Sequence, residues 1–139
     1  MKRTVGMYMH KHPITLEENS PMGEALELLD THHITHILVT SNGKLTGVVS
    51  KQDLLEKAVD LLEHSSGRAF NLVELRTRNI AYIMGEDIIT VSPDDSMDLG
   101  VELLLQNKFH CLPVVNEDLK PVGIITAFDL LKGYYQEMG

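Results

Sequence analysis

The chain has 139 residues, enough for one well-buried core and too few for a separate catalytic domain beside it. Hydrophobic residues make up 43% and charged residues 23%, a composition typical of a globular protein. The formal net charge of −8 argues against DNA, RNA or an anionic membrane surface as the main partner, because phosphate binding needs clustered Lys and Arg.

Cys111 is the single cysteine, so it cannot form an intrachain disulfide. This predicts a protein of the reducing cytoplasm, with Cys111 as a small buried hydrophobe and not a reactive thiol. The N-terminus lacks the apolar stretch of a signal peptide, and no apolar run approaches membrane-spanning length. We therefore expect a cytoplasmic protein with no membrane partner.

Two copies of one sequence pattern fill most of the chain. The first half of the pattern recurs 75 positions later, and the second half, residues 47–55, recurs at 123–131 after a shift of one residue. The matching residues of the first half are Met9, Ile14, Thr15 and Met22, followed by Met84, Ile89, Thr90 and Met97. A tandem repeat that fills a short chain predicts two similar units around a shared core. We assign residues 3–58 to repeat 1, 59–77 to a linker and 78–134 to repeat 2 of a single module, 1–139.

Each repeat opens with a short segment, an extended piece and a helix. Thr4 and Asn79 are favourable N-cap residues for the opening segments, and residues 14–16 and 88–91 are predicted to be extended. Apolar residues at i, i+3, i+4 and i+7 then predict a helix in each repeat, starting near residues 22 and 97. Ser20 and Asp95 are the predicted N-caps, with Pro21 in the first turn.

A hairpin and a second helix complete each repeat. The predicted strands are 37–39 and 46–49 in repeat 1, and 112–115 and 122–125 in repeat 2. Asn42-Gly43 is a strong two-residue hairpin signal, and helices begin near Ser50 and Thr126. Each repeat is therefore a β-α-β-β-α unit. The predicted fold class is α/β (α+β), with two such repeats packed with pseudo-two-fold symmetry to bury the faces of both sheets.

A short motif stands where the second hairpin strand of each repeat meets the following helix. Gly, two apolar residues, Ser or Thr, two further residues and Asp occur at 47–53 and at 123–129. A hydroxyl followed three residues later by a carboxylate is close to a capping box, so helix capping is one interpretation. The other is a nucleotide site, because helix N-termini bind phosphate and carboxylates bind ribose diols. Two copies related by the repeat favour the nucleotide site.

The ordered set of motifs resembles a pair of cystathionine-β-synthase (CBS) domains. The resemblance rests on Ile-Thr after each opening segment, the amphipathic helix, the apolar run 111–115 and the doubled Gly-x-x-[Ser/Thr]-x-x-Asp motif. It covers roughly residues 3–58 and 78–134. It implies a regulatory fold that binds AMP, ADP, ATP, S-adenosylmethionine or dinucleotides, with the ligand as a regulatory signal and no cofactor.

The resemblance also implies two ligand clefts, each built from both repeats. Cleft one would join Ser50 and Asp53 with Ile88, Ile89, Thr90, Phe109, His110, Leu112 and Pro113. Cleft two would join Thr126 and Asp129 with Pro13, Ile14, Thr15, Ile34, Thr35, His36 and Ile37. In the family the Asp holds the ribose, the hydroxyl side chain reaches phosphate, and apolar residues sandwich the base.

The sequence departs from the family pattern at one basic position. Family members often have Arg-His-Leu-Pro before the paired valines, and neither copy here has the Arg. Lys51 and Lys108 stand near cleft one, whereas Ala127 matches Lys51 in cleft two. We therefore expect unequal clefts, with cleft one preferring the more highly phosphorylated ligand.

The remaining features give an expected function and two alternatives. No nucleophile–base pair and no phosphate loop is present, so we expect no enzyme activity. The expected function is a sensor that binds an adenosine-containing ligand and signals to an unknown effector protein. A ligand-free dimeric assembly module is one alternative, and a metal-binding protein that uses the histidines is the other. His32 and His33 suit a helix end and His36 enters a strand, so no metal site is predicted.

The helices after Ser50 and Thr126 carry apolar stripes. Their members are Leu54, Leu55, Ala58, Leu130 and Leu131. The CBS-domain family commonly buries such faces in an isologous dimer, so the resemblance predicts a homodimer.

Overall fold

The computed structural model describes residues 3–64, 73, 76–107 and 111–138. In chain order the elements are α1 (Val5–Tyr8), β1 (His10–Lys11), β2 (Thr15–Glu17), α2 (Met22–His32), β3 (His36–Ser41), β4 (Lys44–Ser50), α3 (Lys51–His64), a 3-10 helix (Ile80–Tyr82), α4 (Met97–Asn107), β5 (Cys111–Val115), β6 (Pro121–Thr126) and α5 (Ala127–Met138). The predicted mixture of helices and short strands is confirmed.

Contacts divide the chain into two units. Unit 1 consists of Met1–Pro13 and Ile88–Gly139, and unit 2 of Ile14–Asp87. These bounds differ from those of the sequence repeats, because each unit holds the hairpin of one repeat and the opening segment of the other. The predicted shared core and pseudo-two-fold relation of the repeats stay predictions.

Unit 2 contains a three-stranded sheet in the order β2-β3-β4. β2 runs parallel to β3, and β3 runs antiparallel to β4. The predicted hairpin signal is confirmed, because Asn42 and Gly43 have φ of 53° and 82°, as a two-residue turn of the I′ type requires. The buried core comprises Leu16, Met22, Ala25, Leu29, Ile37, Val39, Val49, Leu54 and Ile80.

Unit 1 contains a three-stranded antiparallel sheet in the order β1-β6-β5. The predicted extended piece at 88–91 contributes one parallel bridge, between Val91 and Val114. The buried core comprises Val5, Val91, Met97, Leu104, Leu112, Val114, Ile125 and Leu130.

Two glycines allow the opening segments to approach the hairpins. A Cβ atom at Gly47 would lie 2.8 Å from Met84 Sδ, and one at Gly123 would lie 3.0 Å from Met9 Cγ. The same Cβ atoms would also lie 2.9 Å from the Gly85 carbonyl oxygen and 3.1 Å from the His10 carbonyl oxygen, so a larger residue would push the backbone of the opening segment away from the hairpin.

Two helix caps differ from the prediction by one residue. Pro21 and not Ser20 is the N-cap of α2. Helix α4 begins at Met97, and Ser96 Oγ accepts the Leu99 N–H at 3.2 Å, which is N-cap geometry. Asp95 instead accepts the Ser92 N–H through Oδ2 at 2.8 Å, which stabilises the preceding turn. Thr4 and Asn79 are N-caps as predicted, although neither side chain makes a capping hydrogen bond.

Candidate functional site

The first copy of the motif lies in unit 2, at the junction of β4 and α3. Ser50 is the last residue of β4, and Asp53 lies in the first turn of α3. The Asp53 N–H donates to Ser50 Oγ at 2.9 Å, so the hydroxyl caps the helix. The Asp53 side chain is exposed and lines an open groove of about 280 Å³. The other lining residues of the groove are Glu56, Lys57, Asp60, Tyr82 and Ile83.

The second copy lies in unit 1, at the junction of β6 and α5. Asp129 Oδ2 accepts the Thr126 N–H at 2.9 Å and the Thr126 hydroxyl at 3.0 Å. In return, the Asp129 N–H donates to Thr126 Oγ1 at 3.2 Å. This reciprocal arrangement is a capping box, in which the carboxylate and the hydroxyl satisfy each other and the first turn of the helix.

The strand register places a different residue beside each hydroxyl. His36 pairs with Ser50, and Cys111 pairs with Thr126. Directly paired residues of an antiparallel ladder project their side chains from the same face of the sheet. The resemblance groups His36 with Thr126 and Asp129, and sequence reasoning missed its position opposite Ser50. Counting outward from the Asn42-Gly43 turn would have paired His36 with Val49, because a β-bulge between Val39 and Thr40 shifts the register by one residue.

The environments of these two neighbours differ chemically. Thr35 Oγ1 and His36 Nδ1 are 2.8 Å apart, and the Lys51 N–H donates to the Thr35 carbonyl at 2.8 Å. Burial raises the pKa of the Cys111 thiol to about 12, so this side chain stays neutral at physiological pH. The unit 2 pair therefore lies beside an imidazole, and the unit 1 pair lies beside a neutral thiol.

The predicted site residues divide between the units. Unit 2 holds Ser50, Asp53, Ile14, Thr15, Ile34, Thr35, His36 and Ile37, and unit 1 holds Thr126, Asp129, Pro13, Ile88, Ile89, Thr90, Leu112 and Pro113. Phe109 and His110 lie outside the described residues. Ile37 and Leu112 are fully buried in the cores of their units, so neither is exposed to a ligand in this structure. The grouping into two clefts stays a prediction.

Two cations flank Tyr82 at the end of the unit 2 groove. Lys57 Nζ lies 4.2 Å and Arg78 Cζ 4.0 Å from the centroid of the Tyr82 ring. A hydrogen bond to Lys57, together with the positive charge of that side chain, lowers the pKa of Tyr82 below its ordinary value. The same hydrogen bond raises the pKa of Lys57 above its ordinary value.

The described part of the chain offers neither a metal centre nor a membrane span. Within residues 3–64, 73, 76–107 and 111–138, no group of three or more His, Cys, Asp or Glu side chains is arranged to hold a metal ion. In those same ranges, every helix is too short or too polar to cross a membrane.

The sequence model of the CBS domain matches this chain twice, at residues 5–60 and 79–135. The two matches cover most of the chain and coincide with the repeated pattern. The chain therefore belongs to the CBS domain family, and its α+β fold is the tandem CBS pair.

Two solved structures are similar to this chain over nearly its entire length. CBSX2 in complex with AMP is 27% identical, with a TM-score of 0.81 and 99% of each chain covered. The CBS domain pair of protein MJ0100, in complex with 5′-methylthioadenosine and S-adenosyl-L-methionine, is 26% identical, with a TM-score of 0.79 and 99% of each chain covered.

Enzymes also contain a similar segment. A homoserine O-acetyltransferase from Methanocorpusculum labreanum is 29% identical over 125 residues, which are 89% of this chain and 23% of the relative. The chain spans less than a quarter of the length of the first curated relatives that it matches. The similarity is thus to one part of these larger proteins.

Proposed function

We propose that this chain is a regulatory module that binds an adenosine-containing ligand and passes its state to a partner protein. The proposed ligands are AMP, ADP, ATP and S-adenosylmethionine. The ligand serves as a regulatory signal and not as a cofactor, and the module itself catalyses no reaction.

The observation that supports the proposal is a hydroxyl and a carboxylate at the same strand–helix junction in both units. Ser50 with Asp53, and Thr126 with Asp129, have this placement. Two structures with similar folds over 99% of the chain contain AMP in one case and 5′-methylthioadenosine with S-adenosylmethionine in the other. These ligands share an adenosine ribose, whose diol suits an ionised carboxylate because each oxygen of the carboxylate can accept a hydrogen bond.

Within each pair we assign a separate role to each side chain. The carboxylate binds the ribose hydroxyls, and the hydroxyl binds the phosphate or the group that replaces it. The first N–H groups of α3 and α5 add positive partial charge at the same place, which stabilises an anionic ligand. The predicted adenine contacts near Ile14, Thr15, Ile89 and Thr90 remain part of the proposal.

A thermal-shift experiment tests the proposal most broadly. Each of AMP, ADP, ATP and S-adenosylmethionine, and separately NAD and divalent metals, is added at millimolar concentration. A ligand at about 100 times its Kd stabilises the folded protein by about 2.7 kcal/mol, which raises the midpoint of unfolding by several degrees. GMP is the matched control, because it carries the same ribose phosphate on another base. Equal shifts with GMP and AMP, or no shift with any adenosine ligand, would contradict the proposal.

The capping box of unit 1 favours a second candidate, a ligand-free assembly module. In that function Thr126 and Asp129 would only stabilise the start of α5. The same experiment separates the two candidates, since an assembly module gains no stability from an adenosine ligand.

We further propose that the module forms a homodimer through the outer faces of α3 and α5. Leu54 and Leu130 are buried inside their own units, so the predicted apolar stripe was wrong for these two residues. Their neighbour Leu55 is 50% exposed and Leu131 is 69% exposed. Val59 extends the exposed apolar surface of α3, and Phe128 and Tyr135 extend that of α5.

Light scattering of a charge-introducing variant tests the dimer. Wild type at tens of micromolar, roughly the scale of a modest interface, is expected to have the mass of a dimer. Leu131→Glu is expected to shift that mass to a monomer, because it places a charge in an apolar interface. Leu119→Glu is the control, because Leu119 is 54% exposed in the turn between β5 and β6 and not on either helix. A monomeric wild type would exclude the dimer.

A further inference from the structure

The two hydroxyl–carboxylate pairs have different hydrogen bonding in the ligand-free protein. Thr126 and Asp129, here called the closed pair, satisfy each other through three hydrogen bonds of 2.9 to 3.2 Å. One of these joins the Thr126 hydroxyl to the carboxylate itself. The Thr126 hydroxyl and one oxygen of the Asp129 carboxylate are therefore already engaged with each other.

Ser50 and Asp53, here called the open pair, lack that bond. The Ser50 hydroxyl accepts the Asp53 N–H, which leaves its proton for another acceptor. Across the residues that the structure describes, the Asp53 carboxylate has no hydrogen-bond or salt-bridge partner. It lines an open groove, so a ligand can reach it without displacing another protein group.

The sequence gives a physical reason for the difference. Thr126 is β-branched, which restricts its χ1 more than that of Ser50, whose hydroxyl is held, among the described residues, only by the Asp53 N–H. Asp129 is also more buried than Asp53, so its carboxylate gains more from an internal partner.

We infer that the two pairs fill in order, with an adenosine ligand occupying Ser50 and Asp53 first, while the closed pair is held shut by its own capping box. This inference rests on the proposed function. A ribose diol that binds both oxygens of Asp129 competes with the Thr126 hydroxyl for Oδ2, so one of the new hydrogen bonds is offset by the one lost. A ribose on Asp53 displaces only water. Lys51 does not contribute to this preference, because it lines a different groove, together with Glu27 and Asp30 of α2.

The first arm of the test uses no ligand and measures the asymmetry itself. Asp129→Ala is expected to lower the midpoint of thermal unfolding by roughly 2–6 °C, because it removes a complete capping box. Asp53→Ala is expected to change it by less than about 1 °C. Asp98→Ala and Glu24→Ala are the controls, since they remove the same charge from the first turn of α4 and α2. Equal losses for Asp129→Ala and Asp53→Ala would overturn the inference whatever the ligand does.

The second arm measures binding of AMP by calorimetric titration. Wild type is expected to show two classes of site that differ by at least about tenfold in affinity, the size of one charge-assisted hydrogen bond. Asp53→Asn is expected to remove the tighter class, and Asp129→Asn only the weaker one. Thr126→Ser keeps the hydroxyl but frees χ1, and is expected to tighten the weaker class.

The outcomes separate the inference from the proposed function. Binding that is weakened equally by Asp53→Asn and Asp129→Asn would overturn the order of filling and leave the function intact. Loss of the tighter class in Asp129→Asn would reverse the order and overturn the inference. If neither AMP nor S-adenosylmethionine binds wild type at millimolar concentration, the proposed function fails, and the inferred order of filling fails with it.

Discussion

Val5 and Ile80 stand 75 positions apart at the same place in the two repeats, and each is fully buried in the unit that holds the hairpin of the other repeat. Backbone hydrogen bonds hold both segments in place. The Val5 N–H donates to the Asp95 carbonyl, and the Ile80 N–H donates to the Ser20 carbonyl, both at 2.8 Å. Each unit is therefore completed by a segment from a remote part of the chain.

Truncation of Ile80 tests this exchange. Ile80→Ala is expected to cost about 2–5 kcal/mol of unfolding free energy because it leaves a cavity in a buried core, and Ile80→Val about 0.5–1.5 kcal/mol. Met7→Ala, at an exposed position of α1, is the control and should change stability by less than about 0.5 kcal/mol. Urea denaturation measures the three values. A loss in Ile80→Ala as small as that in Met7→Ala would show that the opening segment is not part of the core.

Gly133 gives a prediction whose sign opposes helix propensity. Ala normally stabilises a helix relative to Gly by roughly 1 kcal/mol. A Cβ at Gly133 would overlap the ring of Tyr8, however, so Gly133→Ala is expected to destabilise the protein by about 1–3 kcal/mol. The double variant Gly133→Ala with Tyr8→Ala should recover part of this loss, because the clash is gone. Thermal unfolding that shows Gly133→Ala to be more stable than wild type would contradict the packing of α1 on α5.

The cluster around Tyr82 predicts a titration. Since Lys57 lowers the pKa of Tyr82, this tyrosine is expected to ionise before an unperturbed tyrosine as pH rises. Lys57→Met should move its titration to higher pH, and Tyr82→Phe should remove the early step from the tyrosinate absorbance. Identical titration curves for wild type and Lys57→Met would refute the interaction.

Cys111 predicts a pH dependence of stability with a defined sign. Burial raises the pKa of its thiol to about 12 in the folded protein, while the unfolded thiol ionises near about 8.5. A group whose pKa is raised by folding contributes stability below its unfolded pKa and loses it as pH rises toward the folded pKa. Wild type is therefore expected to lose up to about 1.4 kcal/mol per pH unit more than Cys111→Ala above pH of about 8.5. The other titrating groups are common to both proteins, so their effects cancel in the comparison. Parallel curves of unfolding free energy for the two proteins between pH of about 8.5 and 10 would contradict the raised pKa of Cys111.

Most of the local structure could be predicted from the sequence because it depends on neighbouring residues. The Asn42-Gly43 turn and the apolar spacing along α2 and α4 are signals of this kind, and the structure confirms them. The caps at Pro21 and Ser96 were missed by one residue, because Ser20 and Asp95 are equally good capping residues in isolation. In the structure, the Asp95 side chain accepts the Ser92 N–H of the preceding turn. The carbonyls of Ser20 and Asp95 accept N–H groups from the opening segment of the other repeat.

Two features could not be predicted because they depend on residues far apart in the sequence. The opening segment of each repeat packs in the unit that holds the hairpin of the other repeat. The order of elements along the chain would be the same without this exchange, so the sequence pattern does not reveal the exchange. The motif predicted both a cap and a nucleotide site, and the two copies follow the same pattern of residue types. Only the hydrogen bonds show that Asp129 is engaged with Thr126 while Asp53 faces a groove.

A crystal structure of the protein grown with millimolar AMP tests the central claim most directly. We predict ribose hydroxyls within hydrogen-bond distance, about 2.5–3.0 Å, of the Asp53 carboxylate, with the Ser50 hydroxyl turned toward the phosphate. Crystals grown with GMP are expected to lack the ligand at this place. A bound AMP whose ribose does not contact Asp53 or Asp129, or crystals that contain no AMP at all, would contradict the account.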